Sequence, residues 1–256
     1  ANISNNITDF LNFKGKKILT IQHLTEYFKS KEYSKKWKDE KISTFDYLLL
    51  LNKMSSRTFN DPNQYPIMPW LFLKDGISYI RNFDLPISVQ DKDKQEQYLS
   101  NKNYSLNEKT QTQGNHYSTS AYVLFYLMRT NPFTNNMIKF QSYKFEIPER
   151  QYYDIQQTIF LCQRMNNNRE MIPELFSIPE TFINLNDNDF GQQKEGIRVH
   201  NITFEPYAKN AFEFSYLLKD LINNDEEINN EINKWFDFIF GVNQTGNYIS
   251  NKRYYK

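Results

Sequence analysis

Apolar positions recur at helical spacing along most of this chain, and one long stretch breaks the pattern. Ile21, Leu24, Tyr27 and Phe28 share one face, which predicts a helix within residues 18–28 with Thr20 placed to cap it. Ser43 or Thr44 precedes Phe45, Leu48, Leu49 and Asn52, one face of a second helix. A third is predicted across Trp70–Phe83. Ser118–Arg129 is apolar nearly all round and reads as a buried helix, ended by Asn131-Pro132. Tyr152–Arg164 and Ala208–Ile222, the latter just after Pro206, predict two more. The final helix carries the clearest signals. Asp225 is placed to cap it, Glu226 and Glu227 suit its positive end, and Ile228, Ile232, Trp235, Phe236, Ile239 and Phe240 form one face. Gly241 stands where a left-handed C-terminal cap is expected.

The exception lies between Arg57 and Trp70. Pro62, Pro66 and Pro69 exclude a helix, because each lacks an N–H and pushes its predecessor toward extended backbone. Yet Phe59, Tyr65, Ile67, Met68 and Trp70 are too apolar for an exposed loop. The segment therefore reads as extended, irregular backbone inside the core. Buried N–H and C=O groups need partners there, and Arg57, Asn60, Asp61, Asn63 and Gln64 are at hand to supply them. Residues 166–207 are short, mixed and Pro-dotted, which predicts packed irregular segments with short helical turns. Residues 88–114 are charged and polar and read as a surface loop or short exposed helix.

At 256 residues the chain is long enough for a sizeable core. With 31 Lys+Arg against 30 Asp+Glu, it offers no bulk charge that calls for nucleic acid or an anionic membrane. Its longest apolar runs fall far short of the roughly 20 residues of a membrane span. The single cysteine, Cys162, fits a reducing compartment and reads as a buried structural thiol rather than a nucleophile paired with His116. His23, His116 and His200 match no zinc spacing, and no phosphate-cradling glycine loop is present, so no metal and no cofactor are expected. The carboxylate pairs Asp187/Asp189 and Glu174/Glu180 read as structural. Arg57 and Arg129 lie beside apolar segments and are expected to bond backbone carbonyls or acids, with Asp61, Glu174 and Glu180 as candidate partners. Gripping a partner's carboxylate or phosphate is the functional alternative for either.

Five blocks in order resemble the signature of the BEACH domain, a module of large eukaryotic scaffold proteins in vesicle traffic and membrane dynamics. The first runs from Trp37 through Arg57, Asn60, Asp61, Tyr65 and Pro66 to Trp70. The second is His116-Tyr117-Ser118, similar to the family's HYS element. The third, Tyr126 to Thr134 with Arg129, Pro132 and Phe133, is similar to its YLxRxxPFT element. The fourth contains Pro173, Glu174, Pro179, Glu180 and Asn184-Leu185-Asn186, and the last runs from Trp235 through Phe240 and Gly241 to Gly246. Two departures stand out: KTQTQG occupies the place of aromatic residues before the HYS element, and the polar Asp39–Lys41 stretch replaces a glycine.

The resemblance implies a single mainly α domain over residues 25–246, with helices around a core of extended irregular segments, a lead-in at 1–24 and a tail at 247–256. It implies a non-catalytic scaffold or docking module in vesicle, lysosome-type organelle or autophagic membrane traffic. Such a protein would be cytoplasmic and peripheral to membranes, which it would contact indirectly. The family carries a PH-like domain before this module and a WD-repeat propeller after it, so both are implied partners and the chain reads as a fragment. A structural subunit of a stable cytoplasmic or cytoskeletal assembly is the alternative.

Overall fold

The computed structural model of the protein describes residues 21–73, 75–93, 96, 105–106, 109–110, 117–163 and 167–241. Within them the fold is mainly α. In chain order the helices are α1 (Ile21–Ser30), α2 (Tyr33–Lys38), α3 (Thr44–Met54), α4 (Ser120–Leu127), α5 (Phe133–Phe140), α6 (Ile155–Cys162), α7 (Ala211–Asn224) and α8 (Glu226–Ile239). Most begin where a short polar side chain meets the free N–H groups of the first turn. Ser43 accepts from Asp46 N in α3, Thr119 from Tyr122 N in α4, and Asp154 from Gln157 N in α6. Asn210 accepts from Glu213 N in α7 and Asp225 from Ile228 N in α8. The predicted helices thus appear, except the one across Trp70–Phe83, with α4, α6 and α7 starting two or three residues later than their apolar patterns because the caps lie there.

The helices surround a core of chain that is neither helix nor sheet. Tyr65, Ile67, Met68, Trp70 and Leu71 are all buried on extended backbone, and so are Met171 and Ile172. The two segments touch through a single antiparallel bridge, Met68 N to Met171 O and back, both at 2.9 Å. Two 3-10 turns, Pro173–Phe176 and Pro179–Phe182, follow and pack under α7. There Ser215 donates to the Leu175 carbonyl at 3.0 Å. α7 also packs against α3 and α8.

Several expectations give way. Trp70–Phe83 is not a helix. It holds an antiparallel hairpin of β1 (Phe72–Leu73) and β2 (Gly76–Ile80), with Phe72 opposite Ile80 and Leu73 opposite Gly76. Gly76 opens β2 just after the turn, and at φ 133 it adopts backbone that side-chain-bearing residues avoid. Phe59 is not core but 53% exposed. The polar stretch from 88 begins inside, because Ser88 is sealed and donates to Asn168 Oδ1 at 2.6 Å. Further along it, β3 (Ser105–Leu106) pairs antiparallel with β4 (Lys109–Thr110). α4 ends at Leu127, four residues before Asn131, and α5 starts immediately beyond Asn131-Pro132. Gly241 is not left-handed. A Cβ there would stand 2.8 Å from Asp237 Cα, so the glycine answers a close approach to α8 instead. Thr20 and His116 lie outside the described residues.

Candidate functional site

Polar side chains converge on the extended segment at 65–71 and stand in for a neighbouring strand. Asn52, buried on α3, donates to the Leu48 and Ile67 carbonyls at 2.9 and 2.8 Å and accepts from Ile67 N at 2.9 Å. Its carboxamide thus pairs with Ile67 as a strand backbone would. Arg57 donates Nη1 to the Tyr65 carbonyl at 2.9 Å. Tyr65 in turn donates its hydroxyl to Glu174 Oε1 at 2.5 Å. Burial pushes Glu174 above the usual carboxylate range, partly offset by that hydrogen bond.

At the centre sits an ion pair. Arg81 Nη1 lies 2.9 Å from both oxygens of Glu170. The same carboxylate accepts from Trp70 N at 3.1 Å and from Trp235 Nε1 at 3.2 Å. Arg81 Nη2 donates to the Leu85 carbonyl at 2.9 Å. One buried carboxylate therefore ties the first signature block, the β2 end and α8 together. Trp70 Nε1 donates to Arg169 O at 3.0 Å, and the Arg169 guanidinium lies over the Phe125 ring at 3.9 Å.

Arg129 is buried and forms no ion pair among the described residues. It donates Nε to His200 O at 2.8 Å and Nη1 to Tyr152 O at 2.5 Å, and it lies 4.8 Å over the Phe190 ring. Burial pulls its pKa down from 12.5 to about 10, which leaves it a cation at neutral pH. Among the described residues both arginines thus bond backbone carbonyls, one of the two expected kinds of partner, and none of the candidate acids. Asp61 instead caps the Pro62–Gln64 turn through Asn63 N, and Glu180 is exposed at the first turn of its 3-10 helix.

The other signature residues divide between core and surface. Trp37 is half-buried, stacked on Tyr47 at 4.9 Å, and donates Nε1 to Thr44 at 3.0 Å. Tyr117 is buried edge-on to Phe238, and its carbonyl accepts from Glu170 N at 3.3 Å. Pro66 and Pro173 are buried, Phe133 is partly buried, and Phe240 meets Trp235 edge-on at 5.6 Å. Asn60 and Pro132 are at the surface, where solvent hydrates what the core would have had to satisfy. Asn52, Arg81 and Glu170 were missed. The signal that drew attention to Arg57 and Arg129, a charge beside apolar residues, was equally present in Tyr79-Ile80-Arg81-Asn82-Phe83.

Among the described residues, candidate reactive groups do not assemble around these side chains. Cys162 is fully buried, and burial pushes its thiol up to about 12, away from nucleophilic use. Asp187 and Asp189 are exposed; Asp187 faces His200 Nε2 at 3.3 Å and Asp189 faces Arg198 at 3.5 Å. Among the described residues, no three His, Cys, Asp or Glu side chains group to hold a metal ion. No helix among them is long and apolar enough to cross a membrane.

The family model described as the Beige/BEACH domain matches residues 35–256. This chain belongs to that family. Three similar proteins carry the same relationship. The "Lysosomal-trafficking regulator" of Drosophila melanogaster is 31% identical over 233 residues, 83% of this chain and 7% of its own length. The "Putative neurobeachin homolog" of Caenorhabditis elegans is 32% identical over 234 residues, 86% of this chain and 9% of its own. The "BEACH domain-containing protein lvsD" of Dictyostelium discoideum is 33% identical over 222 residues, 82% of this chain and 7% of its own. The chain thus spans less than a tenth of the length of these relatives. In this BEACH chain, the signature residues Tyr65, Pro66, Trp70, Arg129, Pro173 and Trp235 are buried.

Proposed function

We propose that this BEACH domain is a non-catalytic docking module that helps recruit proteins to membranes during vesicle, lysosome-type organelle or autophagic traffic. One observation carries the reading: the polar side chains nearest the signature segment are committed to backbone. Asn52 holds Ile67, Arg57 holds Tyr65, Glu170 holds Trp70, and Arg129 holds Tyr152 and His200. A motif whose polar groups hold up irregular backbone in this way specifies a shape, and a specific shape serves recognition. The names of the relatives, one of them a lysosomal-trafficking regulator, support the setting. A PH-like domain and a WD-repeat propeller, in the same polypeptide or a separate one, are the proposed neighbours. The protein would be cytoplasmic and would meet membranes through them.

The test is to tag the native protein, crosslink it gently and identify its full length and its partners by mass spectrometry. Substoichiometric membrane-traffic proteins on a much longer polypeptide are expected. A short chain at fixed stoichiometry in one large complex would overturn the reading and make it a structural subunit.

A further inference from the structure

A groove of about 700 Å³ runs between α3 and the chain that follows it, lined chiefly by Leu49, Leu50, Lys53, Arg57, Phe59 and Pro66. Its walls are fixed. Ser56 turns the chain at φ 62, and its N–H donates to Lys53 O at 3.1 Å while Arg57 N donates to Asn52 O at 3.0 Å. The residues after Ser56 are thereby folded back along the helix. Phe59 meets Tyr65 edge-on at 5.5 Å, so one edge of its ring is supported while the side chain stays 53% exposed. A large apolar side chain held in the open by a rigid wall is preorganised for contact.

The charges around this groove are unevenly matched. Asp46, the one acid in the lining, already accepts from Ser43 Oγ at 2.7 Å. It lies seven residues before Lys53, about 10 Å along α3. At the other end Lys53 is exposed and Arg57 is half-buried. Arg57 gives Nη1 to a carbonyl, and neither cation forms an ion pair among the described residues. Desolvated guanidinium beside apolar surface favours a carboxylate, which it can bind bidentately.

We infer that this groove docks a short acidic–apolar segment of a partner protein, with large apolar side chains against Leu49, Leu50 and Phe59 and a carboxylate at Lys53 and Arg57. Leu49 and Lys53 are one helical turn apart, so the segment carries its apolar and acidic groups at about the same separation, close to 6 Å. The inference rests on the docking reading above and names the chemistry of one partner.

The test uses the full chain and fluorescein-labelled synthetic peptides of about 14 residues, roughly four helical turns. One set places Leu or Phe one turn from Glu, a second replaces Glu by Lys, and a third replaces Leu and Phe by Ser. Fluorescence anisotropy is read for the wild type, Lys53→Glu and Phe59→Ser, both at exposed positions, with circular dichroism confirming the fold. The first set is expected to bind. Each variant should weaken it about tenfold, and Lys53→Glu should gain affinity for the Lys peptides. The inference is overturned if no peptide of the first set binds or if neither variant changes binding. It is also overturned if phosphatidylserine vesicles or a second copy of the chain bind in a Lys53-dependent way and the peptides do not. The same variants in the crosslinked native preparation separate the two readings. Partners retained by both would leave docking intact and remove this groove from it.

Discussion

Arg81 and Glu170 meet through one nitrogen, Nη1, which lies 2.9 Å from each carboxylate oxygen with both side chains sealed from solvent. Removing one partner leaves an uncompensated buried charge. Arg81→Met should therefore cost about 3–5 kcal/mol, read as a lower midpoint in urea unfolding. The double variant Arg81→Met, Glu170→Leu should recover only part of it. Trp70 N and Trp235 Nε1 would still lack their acceptor, each at roughly 1–3 kcal/mol. Full recovery would show that the carboxylate does not hold the tryptophans.

Asn52 serves as a strand edge made from one side chain. Asn52→Ala would strand both Ile67 N and Ile67 O in the core, and should destabilise the fold by roughly 2–4 kcal/mol. Slowly exchanging amide protons around residues 65–71 should become fast. Unchanged exchange would mean that packing alone holds the segment.

Glu174 links pH to stability. Its ordinary value is 4.5, and burial raises it in the folded state. A raised folded pKa means the folded chain holds the proton more tightly. The stabilisation is complete below about 4.5 and is lost as pH rises through the folded pKa. Glu174→Gln keeps an acceptor for Tyr65 and removes the ionisation. The melting temperature of the wild type should fall relative to Glu174→Gln as pH rises above about 4.5. A constant gap across that range would contradict the assignment.

Gly241→Ala would place a methyl group 2.8 Å from Asp237 Cα, against helix backbone that cannot rotate away. A loss of about 1–3 kcal/mol is expected, seen as a lower melting temperature. A neutral or stabilising result would show that the end of α8 adjusts freely.

Cys162 is fully buried with its thiol pushed up to about 12. A thiol reagent at pH 8 should label it only after denaturant is added. Rapid labelling of the native protein would place it in an accessible, reactive setting.

Local signals carried much of this fold in the sequence itself. Capping residues and apolar periodicity located most of the helices, because both act within a single turn of chain. Pro62, Pro66 and Pro69 excluded helix from the signature stretch, since a missing N–H is a property of the residue alone. The order of the five blocks pointed to the family for the same reason. Only the tertiary structure decided what those residues touch. Trp70–Phe83 holds a hairpin because the chain turns just before Gly76 and Phe72 finds Ile80 across it. Phe59 went to the surface while Tyr65, six residues on, went inside to reach Glu174. Glu170 found Arg81 across 89 residues and Trp235 across 65. Sequence periodicity is local information, whereas the partner of a buried charge is set by where the whole chain brings a complementary group.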